Sequence, residues 1–268
     1  MTIKKTNWML PGLIIACCII LGVAVIGLQH GFLFSHPVAD QGAGLPALQG
    51  ESGSLILDAE LPASPASITL YNVMSIDMID EGNEKLVFSV KKSIPSAAEA
   101  PSVAENALEK FGGFPKEARL VDAVPRYIKK FNLTTNSVEE QYPVATQVRY
   151  VQMLEGLPVI GAGINLDLGE NNEIIRILKI WPAYEYAGEG KVITAESGFE
   201  KLKLGDTIEK GQGTLPGDTK ITEIRLGYKL VRTGPDSKEP YLKPVWIFYA
   251  VTPLDPEPFP LLVDATAG

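Results

Sequence analysis

The sequence predicts an α+β protein tethered by a single N-terminal membrane helix. Three observations predict it. Residues 8–28 form one uncharged apolar run, WMLPGLIIACCIILGVAVIGL. Beyond residue 92 the hydrophobic pattern changes in the order helix, several strands, helix, several strands, the mark of antiparallel sheets with a helix packed on each. Both Cys (Cys17 and Cys18) and both His (His30 and His36) precede residue 40. The plan that follows is a cytoplasmic N-terminus (residues 1–7), a transmembrane signal-anchor helix (8–28) and a flexible linker (29–66). A strand pair (67–92) then leads into two successive α+β units, 93–190 and 191–268. A folded part without thiol or imidazole excludes a Cys or His nucleophile–base pair, a Cys/His zinc site, a thioredoxin motif and an internal disulfide.

The apolar run, at about 1.5 Å per residue, matches a hydrocarbon core of about 30 Å. Lys4 and Lys5 precede it and the next basic residue is Lys85. That asymmetry puts the N-terminus in the cytoplasm and the remainder outside the cell membrane. Pro11 falls in the first turn, where its missing N–H costs least. A cleaved signal peptide would have a shorter apolar core and a small-residue site, whereas His30-Gly31-Phe32-Leu33-Phe34 follows here. Lipidation at Cys17 is a further alternative, although apolar residues continue well beyond it.

The linker is dominated by Gly, Pro, Ala and Ser and has no lasting apolar period, so it cannot bury a core. Beyond Leu28 the chain carries 22 Lys and Arg against 32 Asp and Glu. With this acidic balance and no basic stripe, nucleic acid is excluded as a partner.

The elements follow in order. Residues 68–74 and 86–90 are rich in β-branched and aromatic side chains, with turn chemistry at Asp80-Glu81-Gly82-Asn83. A first helix is opened by Pro101, buries Ala104, Ala107, Leu108 and Phe111, and stops at Gly112. Residues 118–131 read as one strand with Pro125 at its edge. Strands at 144–154, 157–168 and 173–181 are joined by Glu155-Gly156 and by Gly169-Glu170-Asn171-Asn172, which supply the positive φ a hairpin needs. A second helix is capped by Thr194, buries Ala195, Phe199 and Leu202, and ends at Gly205. Strands at 220–231, 241–251 and 261–264 complete the chain.

The stretch Val148 to Gly161, with Tyr150, Gln152 and the turn Gly156-Leu157-Pro158-Val159, resembles the core of the PepSY and FTP (fungalysin/thermolysin propeptide) modules. Residues 169–181 match the continuation of such a module. Pro244-Val245-Trp246-Ile247-Phe248, followed by Leu262-Val263-Asp264-Ala265, is similar to its last hairpin. The layout also resembles YycH/YycI-type extracytoplasmic regulators. The resemblance implies a non-catalytic module that binds and restrains a peptidase or another envelope protein in trans. It carries over no catalytic residue, cofactor or metal.

Each candidate site has a plainer structural reading beside it. Gln152, Gly156, Pro158 and Val159 would give a partner-binding strand edge, or simply a hairpin turn. Trp181 and Trp246, with Tyr184 and Tyr186, would line a recognition groove, or complete a core under a helix. Ser89 and Lys92 satisfy Ser-x-x-Lys, but on a strand they face opposite ways. Asp167, Glu170, Asn171, Asn172 and Glu173 offer oxygen ligands for calcium without the EF-hand order. Asn132-Leu133-Thr134 is a glycosylation sequon, and Gly188-Glu189-Gly190-Lys191 lacks Walker spacing. The expected function is therefore a membrane-anchored binding or regulatory protein. The alternatives are a laterally oligomerising envelope protein and a carboxylate-only hydrolase.

Overall fold

The computed structural model describes residues 55–82, 93–132, 134–135, 137–208, 218–232, 239–253 and 256–267. In chain order they form β1 (Leu55–Leu57), β2 (Ser67–Gly82), α1 (Ala100–Ala107), β3 (Ala118–Asn132), β4 (Ser137–Leu154) and β5 (Leu157–Leu168). Next come β6 (Ile174–Lys191), α2 (Ala195–Lys203), β7 (Thr219–Val231), β8 (Tyr241–Val251) and β9 (Phe259–Asp264). All nine strands belong to one sheet, in the order β1-β7-β8-β2-β6-β5-β4-β3, with β9 added on β8. A second pairing of β5, parallel to β7 at Val159↔Tyr228 and Ile160↔Lys229, closes β5, β6, β2, β8 and β7 into a five-stranded barrel.

Local chemistry sets the turns. Glu155 (φ 50) and Gly156 (φ 83) join β4 to β5 with two consecutive left-handed residues, the geometry that matches strand twist in a tight hairpin. Asn171 and Asn172 do the same between β5 and β6. Pro lies in the first turn of α1, and a 3₁₀ turn (Leu108–Phe111) carries the chain on to a left-handed Gly112. Thr194 caps α2 by accepting from the Ser197 N–H at 3.1 Å.

The barrel is filled by Ile68, Val159, Ile180, Tyr228, Leu230 and Leu242. Outside it, α1 contributes Ala100 and Ala104, and Leu108 follows, to a cluster with Val148, Tyr150, Ile164, Leu166 and Ile177. Helix α2 places Phe199 and Leu202 beside Trp246, Phe248 and Val263. The cross-strand row Asp122, Arg149, Asn165 and the row Val124, Gln147, Asp167, Arg176 occupy the alternate positions of β3 to β6. This face is polar. Arg149 forms a two-pronged pair with Asp122, and Arg126 pairs with Asp167 at 2.7 Å.

Two expectations are corrected here. The described residues are mostly strand, with α-helices of only eight and nine residues, so the class is mostly β with a closed barrel rather than α+β. The reason is strand length. β2 and β6 pair almost end to end, past the points where the sequence pattern weakens, and strands from both expected units meet in the barrel. The expected location at the cell membrane is the second correction. Among the described residues no helix is long and apolar enough to cross a membrane, and the structure gives an anchor no support. The run at 8–28, most of the linker, and the strand and Ser-x-x-Lys motif within 83–92 lie outside the described residues.

Candidate functional site

The residues singled out from sequence separate into a buried group and a turn. Trp246 is 1% exposed, and its indole N–H donates to the Ile193 carbonyl at 3.0 Å, so its polar edge is used in joining β8 to the start of α2. A Cβ on Gly198 would stand 2.9 Å from the Trp246 ring, which explains a glycine inside α2. Trp181 is half-buried against the α1 cluster. Val159 is paired on both sides, with Gln152 of β4 and Tyr228 of β7, so the chain here has no open edge. Pro158 is buried, and its carbonyl lies where a side chain on Gly227 would go.

Gln152 is also buried, at 4% exposure, and it is satisfied at both ends. Its amide donates to the Pro182 carbonyl at 3.1 Å, while its own carbonyl accepts from the Tyr184 hydroxyl at 3.0 Å. It ties β4 to β6 beneath the β4–β5 turn. The tyrosines continue from there. Tyr71 lies 6.1 Å from Tyr184 and 5.9 Å from Tyr228, tilted to the first ring and edge-on to the second. The Tyr228 hydroxyl donates to the Thr69 carbonyl at 2.8 Å. Tyr186 stands opposite Tyr71 across β2 and β6 and is 64% exposed.

Glu155 completes this end of the barrel. It is exposed on the turn, and Oε2 accepts from the Thr69 hydroxyl at 3.1 Å. Burial, together with the hydrogen bond and charge of Glu155, pushes the Tyr71 phenol up to about 12. Burial also raises Tyr184 and Tyr228. All three are therefore neutral at pH 7, and Glu155 meets the Thr69 hydroxyl but no cation: among the described residues no Lys or Arg is ion-paired with it.

No family model matches the chain, and no curated protein matches it. Among solved structures, an uncharacterized protein from Eubacterium rectale is similar at 18% identity with a TM-score of 0.36. The match covers 69% of this chain and 58% of that one, so this chain spans less than two thirds of its neighbour.

The remaining sequence candidates have structural partners. Asp167, proposed for calcium, accepts from Arg126 at 2.7 Å and from Gln147 at 3.2 Å. Asn171 and Asn172 supply the left-handed turn beside it. Asn132 accepts from the Thr134 and Thr135 N–H groups and donates to Glu139 at 2.7 Å. Gly188 and Gly190 lie within β6, opposite Leu70 and Ile68. Sequence reasoning missed Glu155, Thr69 and Tyr71 as a group, because β2 meets the turn only through the barrel. One signal was available: a glutamate at a turn position that Asn, Asp or Gly fills more cheaply.

Proposed function

We propose that this chain is a non-catalytic binding protein that regulates a protein partner through the β4–β5 turn and the tyrosines beside it. One observation carries the reading. An exposed carboxylate accepts from the Thr69 hydroxyl beside Tyr71, on a backbone that costs glutamate extra, and an exposed tyrosine, Tyr186, stands opposite Tyr71. Tyrosines at such positions are typical energetic centres of recognition surfaces, combining area with a polar tip at little entropic cost. The turn lies in the stretch that resembles PepSY modules, and that resemblance suggests a peptidase as the partner class. Lateral oligomerisation is disfavoured by Pro125 in edge strand β3 and Pro143 in β4. A proline inside a ladder turns its missing N–H toward the unpaired side and so blunts that edge.

The test places a photo-crosslinking residue at position 186 in cells, with position 196 on the exposed side of α2 as control. The expected result is a discrete protein adduct from 186 and none from 196, with purified chain altering the activity of the captured protein. Absence of a discrete adduct from position 186 would overturn the reading.

A further inference from the structure

We infer that Glu155, Tyr71 and Tyr186 form a recognition site for one cationic side chain of a protein partner, a guanidinium or an ammonium. The inference rests on the binding reading above and names the chemistry that the site selects. Three features of the site converge on a cation.

The first is charge. The Glu155 carboxylate is exposed, receives a hydrogen bond from Thr69 at 3.1 Å, and has no ion pair within the described part of the chain. This neutral donor fixes its position without cancelling its charge. A carboxylate positioned in this way is prepared for a charged donor, which binds it about twice as strongly as a neutral one.

The second is the aromatic surface beside it. Tyr71 is wedged by Tyr228, edge-on at 5.9 Å, and by Tyr184 at 6.1 Å, so its ring is fixed before any ligand arrives. Tyr186 shares its face, directly across the strand pair, and is 64% exposed. The faces of tyrosine rings attract cations within about 6 Å, and more strongly where water is partly excluded. Carboxylate and ring together suit arginine best, since a planar guanidinium can stack and donate two hydrogen bonds at once.

The third is the backbone. Glu155 occupies a left-handed conformation (φ 50) at the first of two turn residues, where Asn, Asp or Gly relieves strain. Turn geometry alone does not call for a glutamate there. Its side chain, one methylene longer than aspartate, reaches the hydroxyl of Thr69, 86 residues earlier in sequence and beside Tyr71. The chain's overall charge of −8 also favours approach of a basic partner surface.

The experiment titrates the isotope-labelled full chain with N-acetyl-L-arginine amide, N-acetyl-L-lysine amide and the neutral isostere N-acetyl-L-citrulline amide. Amide and ring resonances of Gly156, Tyr71 and Tyr186 are followed. Arginine is expected to give saturable shifts at these residues, lysine weaker ones and citrulline none, with E155Q reducing the arginine affinity at least tenfold. E155N, which suits the turn, should stay folded and lose the same response. Equal responses to arginine and citrulline, an arginine response unchanged in E155Q, or no saturable shift at all would each overturn the assignment. The crosslink from position 186 separates the two levels. An adduct whose yield is unchanged in E155Q leaves the binding reading standing and removes the cation. An arginine response without any adduct keeps the site and removes the partner reading.

Discussion

Glu155, on the β4–β5 turn, sits where its residue type is unfavourable. Glu155 adopts φ 50, a region that costs a β-carbon-bearing residue of order 1 kcal/mol and that asparagine enters more easily. Its compensation is one hydrogen bond, from the half-buried Thr69 to the exposed carboxylate, and a single bond of this kind at the surface returns little. The balance predicts that Glu155→Asn raises stability by about 0.5–1 kcal/mol, read as a higher urea midpoint with an unchanged slope. A lower midpoint would mean that the glutamate serves the fold rather than recognition. Gln152, a turn away, is the opposite kind of residue. It is buried and satisfied at both ends, so it belongs to the scaffold that holds Tyr184 in place.

Among the elements, β7 shows most clearly what the closure of the barrel requires. Gly227 lies opposite Val245, and a Cβ there would stand 2.7 Å from the Pro158 carbonyl and 2.7 Å from Ile247 Cδ1. The side chain can move aside; the carbonyl belongs to the backbone of β5 at the parallel seam and cannot. Gly227→Ala is therefore expected to destabilise the protein by about 2–3 kcal/mol, as overpacking does. Amides near Val159 and Tyr228 should lose hydrogen-exchange protection before those of β3 and β4. Uniform loss of protection would place the weak point elsewhere. The same seam marks the limit of what the sequence makes legible. Strands 157–168 and 241–251 end where turn residues end them, and both helices stop at Gly112 and Gly205, because those boundaries are set by local chemistry. β2 and β6 run longer than their local pattern, since Pro182 is accommodated opposite Ile76, beside a register shift at Val73/Ser75. Pairings such as β5 with β7 join positions far apart in sequence, and no local period reports them. The α+β expectation failed for that reason. The candidate site was half legible likewise: Gln152 and Gly156 stood out in one hairpin, while Thr69 and Tyr71 arrive from β2.

At the scale of the whole molecule, the raised tyrosines join the barrel and the layer beneath α1 into one titration. Tyr71 at the barrel end is pushed up to about 12 by burial and by Glu155, and burial raises Tyr184 and Tyr228 as well. On the other side of the sheet, Tyr150 donates to the Pro101 carbonyl at 3.1 Å under α1, and burial pushes it up to about 12. In the unfolded chain each phenol releases its proton near 10. Between about 10 and 12 the folded state therefore holds more protons than the unfolded state, and stability falls as pH rises through that window. Below pH 9 these groups are protonated in both states and contribute no slope. The urea midpoint should thus be flat with respect to tyrosine from pH 7 to 9 and decline steeply above 10. Tyr184→Phe should make that decline shallower, and E155Q should lessen the part that comes from Tyr71. Because the nine strands among the described residues form one sheet, loss of strand signal and tyrosinate absorbance should appear together in a single alkaline transition. Two separated transitions would show that the barrel and the α1 layer unfold independently, despite the β4–β5–β6 ladder that runs through both.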